Sequence, residues 1–389
     1  MSKGHEKVTT LWEVEADFIC MLAEMQHIGI KIDREFCLPK IEQGEKILNE
    51  IRRDLGWNPG STKQLGKFLL EDMKFPVIAL TDNGQPSFSK KAMEEYDEML
   101  KYHGSDVAEK VLRYRGWQKT ITSNYKAYIK FADKHDILHP QYKIHGTVTC
   151  RISCEKPNLQ QIPRRSENEW NGDLKKAFIP REGNVLVEFD FSQLEARFSA
   201  AVAGEKTLLD AFNSDNVDVF QVMADRLGWT RHDCKTLTYM TLYGAGPKKV
   251  AMVFSIPIQD AKDRINEYFA AYPGLRLASY RATDIAKRNG YIEYWTGRRR
   301  HLSKKDAHKA FNAYVQGGAF EIVKRSGLRL RRSIKWPIVL TVHDSYVVEL
   351  PVEDYTEENC EYIKSILEDV PETPEFGVKF KVSYKQWGS

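Results

Sequence analysis

The chain has 389 residues, of which 42% are hydrophobic and 11% aromatic, and its 58 Lys and Arg against 54 Asp and Glu leave a formal charge of +4. This composition excludes a disordered or collagen-like chain, and the length suffices for several packed cores. A mean hydropathy of -0.50, without an apolar run approaching the roughly 18 to 20 residues that cross a bilayer, argues against a membrane span.

The first third of the chain predicts a mostly helical unit. Helices are predicted over residues 11–28, 34–55, 62–73 and 90–134. The first carries an apolar stripe at helical spacing, and Gly29 is expected to end it. Ser61 is expected to cap the third helix, TKQLGKFLLEDM.

From residue 139 the pattern changes to short β-prone runs separated by loops. A buried strand is predicted over 185–189, after which the chain turns at Asp190 into a helical segment. Helices dominate over 207–289, and a strand follows in GYIEYWTG. Near the C-terminus two apolar runs flank a polar His-Asp-Ser sequence, the pattern of a β-hairpin with a carboxylate at its tip. These elements predict a mixed α+β fold whose sheet is built from discontinuous segments.

Two oppositely charged segments lie behind the small net charge. Residues 281–335 carry 15 Lys and Arg against 4 Asp and Glu, whereas residues 344–375 carry 1 Lys against 11 Asp and Glu. Such runs are often solvated faces. The basic run, which contains GRRRHLSKK, is equally typical of a surface that binds a polyphosphate backbone.

The six cysteines are scattered along the chain. One pair, Cys150 and Cys154, is close in sequence, but it lacks the further ligands at short spacing that a structural zinc site needs. Reduced thiols are therefore expected.

Two aspartates are candidates for a metal centre. Asp190 ends a predicted strand, and Asp344 lies at the tip of the predicted hairpin. Taken singly, each is equally explained as a turn former or helix cap. Together on one sheet they would supply the carboxylate oxygens that Mg²⁺ prefers, with substrate phosphates completing its coordination, as metal-assisted phosphoryl transfer requires.

The segment TRHDCKTLTYMTLYGAG predicts a helix with a functional face. Arg231, Lys235, Tyr239 and Tyr243 recur at steps of four, which lines two cations and two aromatic rings along one side. The alternative is a surface stripe with buried tyrosines. Two cations one turn apart suit a triphosphate, and an aromatic ring one turn further suits a sugar and base. The glycines that follow are expected to end the helix.

Taken together, these segments resemble the polymerase portion of the bacterial DNA polymerase I family, the family A DNA polymerases. VEFDFSQLEAR is similar to the family's first catalytic motif, RHDCKTLTYMTLYG to its fingers-helix motif and LTVHDSYVVEL to its third motif. Further segments match in family order: NPGSTKQLGKFL, TVTCRISCEKPNLQQIP, GYIEYWTGRRRHL and AFNAYVQGGAFEIVKR. The likeness runs from about Leu11 to the C-terminus and suggests a polymerase-only, phage-type member.

The resemblance implies a right-hand polymerase fold, with an antiparallel-sheet palm and helical thumb and fingers. The expected domains are a thumb with an N-terminal lead-in at 1–138, palm segments at 139–206 and 291–389, and fingers at 207–290. The expected activity is template-directed addition of dNTPs to a primer 3′-hydroxyl with release of pyrophosphate. No exonuclease domain and no intrinsic 3′–5′ proofreading are expected, because that domain would need roughly another domain's length of chain.

The resemblance also assigns roles at the active site. Asp190 and Asp344 would hold two Mg²⁺ ions, for which Mn²⁺ is an expected substitute, with the backbone carbonyl of Phe191 as a further ligand. Lys235 is expected to be catalytic as well, since it would offset charge growing on the triphosphate. Glu195 would exclude a ribose 2′-hydroxyl. The residues expected to bind the incoming nucleotide are Arg231, Lys235, Tyr239, Glu195, Gln193 and Tyr243.

A third set matches positions that family members use on primer-template DNA. Its members are Arg151, Asn158, Gln160, Arg298, Asn312, Gln316 and His343. Such donors can read minor-groove acceptors common to every base pair. If the motifs are set aside, each of these residues is equally explained as an ordinary surface residue or as a residue that caps a loop.

The chain departs from the family at three positions. Ser345 follows the His-Asp of the third motif, where many bacterial members have Glu, so any role of a third carboxylate is expected to be absent. Asp218-Val219-Phe220 replaces a common Asp-Ile-His, which removes a phosphate donor. Tyr239 stands where many members have Phe, and members with Tyr discriminate less against dideoxynucleotides.

Two alternatives remain: a related single-subunit RNA polymerase, and a DNA-binding replication accessory that has lost catalysis. The expected partners are primer-template DNA, dNTPs and a separate exonuclease or replisome proteins, with a monomeric chain and no membrane. The polar start MSKGHEKVTT lacks the apolar segment of a secretory signal. The expected location is the cytoplasm of a bacterial cell or phage-infected host.

Overall fold

The computed structural model describes residues 10–81, 83–162, 169–170, 173–214, 217–370 and 376–388. Helices outnumber strands, and the pairings between the described strands are antiparallel. Within these ranges, no helix is both long enough and apolar enough to cross a membrane. The predicted α+β class is confirmed.

The N-terminal third is mainly helical, as predicted. Its elements are α1 (Leu11–Ile28), β1 (Ile30–Ile32), α2 (Arg34–Leu55), α3 (Thr62–Gly66), α4 (Lys90–Tyr102), α5 (Val107–Lys119) and α6 (Lys126–Phe131). One π-helical turn, Lys67–Asp72, continues α3, and another, Thr120–Tyr125, joins α5 to α6. Gly29 ends α1 with a φ of 65°, and Ser61 accepts a hydrogen bond from the Gln64 N–H at 3.3 Å. Both predicted helix boundaries are confirmed.

The middle third begins with short strands and continues with helices. Its elements are β2 (Ile137–Leu138), β3 (Gln141–Lys143), β4 (Ser153–Glu155), β5 (Phe178–Ile179), β6 (Asn184–Phe191), α7 (Leu194–Ala203), α8 (Lys206–Asn213), α9 (Val219–Leu227), α10 (Arg231–Leu242), α11 (Pro247–Phe254), α12 (Ile258–Ala271) and α13 (Pro273–Asn289). β1 pairs with β2 and β5, and β3 pairs with β4. The strand predicted over 185–189 and the helical segment predicted over 207–289 are confirmed.

The last third completes the central sheet. Its elements are β7 (Tyr291–Glu293), β8 (Arg299–His301), α14 (Ala310–Ser333), β9 (Ile338–Val342), β10 (Ser345–Pro351), α15 (Glu357–Glu368) and β11 (Val382–Gln386). β9 and β10 form the predicted hairpin with Asp344 in its turn. The sheet order is β11-β6-β10-β9, so β6 lies between two strands from the last third of the chain. The predicted discontinuous sheet is confirmed.

Both faces of the central sheet are covered. On one face, Phe189 and Tyr346 pack in the largest apolar core, and the Tyr346 hydroxyl donates to the carbonyl oxygen of Val323 on α14 at 2.9 Å. On the other face, Leu186 and Val347 join a smaller core with β1 and β2. Because alternate residues of a strand point to opposite faces, the catalytic candidate on β6 lies on the side of this smaller core.

Helix α1 packs away from the helices that follow it in sequence. Its buried side chains lie in the largest core, where the Phe18 ring lies 6.2 Å from that of Phe320 on α14. The helices α4 and α5 instead surround a separate apolar core. The predicted thumb of residues 1–138 therefore starts with a helix whose buried face belongs to the core around α14.

Candidate active site

Asp190 and Asp344 lie next to each other at one end of the central sheet. Asp190 pairs in register with Ser345, the first residue of β10. The backbone N–H of Phe191 donates to the carbonyl oxygen of Asp344 at 3.2 Å, which ties the β9–β10 turn to the end of β6. The structure thus brings together two acids that are far apart in sequence, because their strands are neighbours.

The donor atoms at this edge suit a hard divalent cation. Asp190 and Asp344 are half-buried, so their carboxylates are neither fully solvated nor enclosed. Across the described residues, no cluster of three or more His, Cys, Asp or Glu side chains could hold a metal ion by itself. Mg²⁺ commonly binds through one or two carboxylates while waters and substrate phosphates complete its octahedron. The site therefore fits an ion that binds together with a phosphate-bearing substrate.

A buried carboxylate, that of Glu195, is linked to Asp344 through Arg151. The chain enters α7 through Gln193, whose φ is 55°. The Glu195 side chain is 4% exposed and accepts hydrogen bonds from Arg151 and, at 2.6 Å, from the Tyr243 hydroxyl. Arg151 also lies 3.6 Å from Asp344. Burial raises the pKa of Glu195, while the charge of Arg151 and the hydrogen bond from Tyr243 oppose that rise.

The predicted face of α10 reaches this network at its C-terminal end. Arg231 and Lys235 are exposed, Tyr239 is half-buried, and the Tyr239 and Tyr243 rings lie 6.3 Å apart. Arg231 Nε donates to Asp218 Oδ2 at 2.5 Å. Lys235, in contrast, has no ion-pair partner within the described ranges. The helix therefore exposes the Lys235 ammonium group to solvent, about two turns before Tyr243, which donates a hydrogen bond to the buried Glu195.

Phe220 has no role at the surface. It is fully buried, and its ring lies 6.2 Å from that of Tyr239. The preceding Asp218 caps α9 by accepting hydrogen bonds from the backbone N–H groups of Phe220 at 3.0 Å and Gln221 at 3.2 Å. Phe220, which stands where a phosphate donor is expected in the family, thus packs against the ring of Tyr239 on α10.

The sequence interpretation missed a buried acid, Glu188, on the same strand as Asp190. Glu188 is 5% exposed, and its Oε2 accepts a hydrogen bond from Lys175 Nζ at 2.7 Å. Ser345 donates to the carbonyl oxygen of Val342 at 2.8 Å, and its hydroxyl lies 3.4 Å from Glu188 Oε1. A signal existed, since an acid inside the apolar run VLVEFDF must find a partner when buried.

Three of the predicted DNA-contact residues surround the active edge. His343 is exposed at the β9–β10 turn with a φ of 54°. The side-chain amide of Gln160 contacts the backbone of the same turn. Asn158 is exposed and accepts a hydrogen bond from the Gln160 N–H at 3.1 Å. It also lines a cleft of about 240 Å³ together with Lys119 and Ser123.

Two further members of this set lie on α14. Asn312 Nδ2 donates to the carbonyl oxygen of Leu242 at 3.1 Å. That carbonyl belongs to the last residue of α10 and would lack an intrahelical partner. Gln316, one turn further along α14, is half-buried. The contact from Asn312 therefore joins α14 to the end of α10, the helix on which the functional face is predicted.

Arg298 lies in a cluster of charges between α1 and α14. It donates to Glu321 Oε1 at 3.0 Å and to Glu15, and Lys324 contacts the same two acids. Nearby, Arg331 pairs with Glu24 on α1. Four cations of the basic segment 281–335, Arg298, Lys324, Arg331 and Arg332, thus bind acids of the first helix, so the charge of the segment is not all available to a nucleic acid.

This chain is similar in sequence to the members of one known family. The model of DNA polymerase family A matches residues 38–389. DNA polymerase I of Pseudomonas aeruginosa is 30% identical, with 95% of this chain and 43% of that protein covered. The thermostable DNA polymerase I of Thermus aquaticus is 28% identical, with 90% of this chain and 45% of that protein covered. The chain thus spans less than half the length of these relatives.

A solved structure shares the fold. The POL domain of Pol1 from M. smegmatis, in complex with DNA primer-template and dNTP, superposes with a TM-score of 0.87 at 24% identity, covering 96% of this chain and 70% of that one. A palm, fingers and thumb of the polymerase type therefore describe this molecule. The chain belongs to DNA polymerase family A.

Proposed function

We propose that the chain is a template-directed DNA polymerase that adds dNTPs to a primer 3′-hydroxyl and releases pyrophosphate. The observation that carries the proposal is the convergence of Asp190 and Asp344 beside a network, Arg151, Glu195 and Tyr243, that connects Asp344 to the C-terminal end of α10. Membership in family A supports it. Primer-template DNA and dNTPs, bound in the M. smegmatis structure, are the proposed partners.

The two aspartates are proposed to hold two Mg²⁺ ions, with the backbone carbonyl of Phe191 as a further ligand. When bound, the ions lower the pKa of the primer hydroxyl and neutralise the pyrophosphate leaving group. The chain's own contribution is preorganisation. Asp190 and Asp344 are held by paired strands and by the bond between Phe191 and Asp344, so little reorganisation is needed during reaction.

The exposed cations of α10 are proposed to bind the triphosphate. Lys235 is available in the absence of nucleotide, whereas Arg231 would exchange its ion pair with Asp218 for a phosphate. One turn further, the Tyr239 ring, supported by Phe220, would pack against the sugar and base. The order of these groups along the helix matches the order of phosphate, sugar and base in a nucleotide.

Replacing Glu195 by Ala is expected to weaken selection against ribonucleotides. The buried carboxylate is fixed by two donors and cannot swing away from a 2′-hydroxyl, so its removal opens space there. We expect the ratio of kcat/KM for rNTPs to that for dNTPs to rise by about 10- to 100-fold. Tyr243→Phe, which removes one donor and keeps the ring, should change it less. An unchanged ratio in Glu195→Ala would contradict this role.

Replacing Tyr239 by Phe is expected to reduce incorporation of dideoxynucleotides. The change keeps the ring and its packing on Phe220 and removes one hydroxyl, which can supply a polar contact at the sugar when the 3′-hydroxyl is missing. The measurement is the ratio of dideoxy to deoxy incorporation on one template. Tyr268→Phe, a change to a buried tyrosine of α12, is the matched control. Equal use of terminators by Tyr239→Phe and the unmodified chain would refute the assignment.

Primer extension with Mg²⁺ tests the proposed function directly. Each nucleotide class is offered on a matched and on a mismatched primer. Template-dependent extension with dNTPs supports the proposal. Extension with rNTPs alone would identify an RNA polymerase, and tight primer-template binding without extension would identify a non-catalytic accessory.

A further inference from the structure

The turn that carries Asp344 is held by a side chain from a distant part of the chain. Gln160 Nε2 donates a hydrogen bond to the carbonyl oxygen of Thr341, and Gln160 Oε1 accepts one from the backbone N–H of His343 at 3.1 Å. The Gln160 amide therefore bridges the end of β9 and the first residue of the β9–β10 turn. It pairs with the backbone much as a neighbouring strand would.

The turn has a conformation that benefits from such support. His343 has a φ of 54°, in the left-handed region that is unfavourable for a residue with a Cβ. At the base of the turn, Ser345 donates to Val342 O at 2.8 Å and Thr341 Oγ1 donates to Ser345 O at 2.9 Å. Of the two contacts from Gln160, one is made to Thr341 at this base and the other lies beyond it, at His343, the residue directly before Asp344.

Gln160 is itself firmly anchored. It belongs to a short 3₁₀ turn, Leu159–Gln161, in which Leu159 is fully buried and the following Ile162 is 1% exposed. Both side chains pack in the smaller core together with Leu340 and Val342 of β9. The amide and the strand that it supports are therefore parts of one packed unit.

We propose that Gln160 is a positioning residue for the proposed polymerase reaction: its amide fixes the β9–β10 turn so that the Asp344 carboxylate is presented beside Asp190. This inference rests on the proposed function and goes beyond it. The sequence pattern places Gln160 among the residues that contact DNA. The geometry points to another main role, because both the oxygen and an N–H of the amide bind the protein backbone.

Gln160→Met tests the proposal, since methionine has nearly the same length and lacks both hydrogen-bonding groups. We expect Mn²⁺ binding to the protein alone, measured by electron paramagnetic resonance, to weaken about 10-fold or more, and kcat to fall by a similar factor. The dissociation constant for primer-template should change less than about twofold. Amide hydrogen exchange at residues 343–345 should become faster than in the rest of the sheet.

If Gln160 instead acts by contacting the base edges of DNA, the opposite result is expected. Weaker primer-template binding and easier mismatch extension, with unchanged Mn²⁺ affinity and unchanged exchange at the turn, would overturn the proposal. Gln161→Met is the matched control for Mn²⁺ binding and for exchange at the turn, because this neighbouring amide is exposed and makes no contact with the turn among the described residues. It is not a control for DNA binding, since Gln161 lines the cleft that contains Asn158. If Gln160→Met does not fold, Gln160→Asn repeats the measurement with a side chain that is polar but too short to span both groups.

The design separates failure of this inference from failure of the proposed function. Mn²⁺ binding and hydrogen exchange are measured without DNA or nucleotide, so they report on the turn even if the chain extends no primer. Asp344→Asn is measured in parallel. Equal Mn²⁺ affinity in Asp344→Asn and the unmodified chain would reject the proposed metal centre, whereas a loss in Asp344→Asn without a loss in Gln160→Met would reject the positioning role alone.

Discussion

Replacing Asp190 or Asp344 by Asn is expected to reduce primer extension by about 10³-fold or more while leaving primer-template binding within about threefold. Asparagine nearly matches aspartate in shape but lacks the negative charge that a hard divalent cation requires. Both positions are half-buried, Asp190 near the end of β6 and Asp344 in the β9–β10 turn, so the fold should tolerate the change. Single-turnover extension and fluorescence anisotropy with labelled primer-template measure the two quantities separately.

The matched control for these variants is Asp369→Asn. Asp369 is an exposed acid at the end of α15 that pairs with Arg329, so the same chemical change there should leave extension unaltered. Unaltered extension in Asp190→Asn or in Asp344→Asn would refute the two-metal assignment. If a variant lost DNA binding as well as primer extension, the replaced acid would be shown to support the fold and not the chemistry alone.

Replacing Glu321 by Ala is expected to lower the free energy of unfolding by about 3 to 5 kcal/mol. The Glu321 and Lys324 side chains are 0% and 2% exposed, and with Glu15 and Arg298 they form a cluster of two acids and two bases. Without Glu321, two cations share a single acid in a poorly solvated place. Chemical denaturation, monitored through the far-ultraviolet circular dichroism of the helices, measures the change.

A pair on the solvent side of the same interface provides the control. Asp17 on α1 pairs with Arg332 on α14, and both side chains are largely exposed, 41% and 56%. Asp17→Ala should therefore lower the free energy of unfolding by less than about 1 kcal/mol. If Asp17→Ala and Glu321→Ala lowered the free energy of unfolding by the same amount, burial would not be the reason for the effect of Glu321. Because Arg298 belongs to the buried cluster, a DNA-binding defect in Arg298→Ala is attributable to DNA contact only if stability is unchanged.

Local features of the fold could be predicted from the sequence. The bounds of α1 and α2 and the cap at Ser61 follow from apolar spacing and from capping residues a few positions away. The β9–β10 hairpin follows from two apolar runs around a polar tip. These features depend on interactions over a few residues, which is the range in which sequence patterns carry information.

Contacts between distant segments could not be predicted in the same way. The basic run 281–335 is typical of a polyphosphate surface, yet Arg298 and Lys324 both bind Glu15 of α1, which lies 283 and 309 positions earlier in the chain. The sequence predicts that Gln160 contacts DNA, and it gives no sign that the Gln160 amide binds the backbone of the β9–β10 turn. Charge and polarity show that a side chain needs a partner, but the partner is chosen by the packing of the chain.

The sequence by itself determined the class of the protein, through its resemblance to the motifs of DNA polymerase family A. It also singled out the chemical candidates, since the acids at a strand end and at a hairpin tip and the cations and rings of α10 are specified by residue type and short spacing. The tertiary structure alone decided that Asp190 and Asp344 adjoin, that Arg151 and Tyr243 hold Glu195, and that a neutral amide supports the turn before Asp344. The physical reason is that strand pairing and core packing join positions between which the sequence carries no periodic pattern.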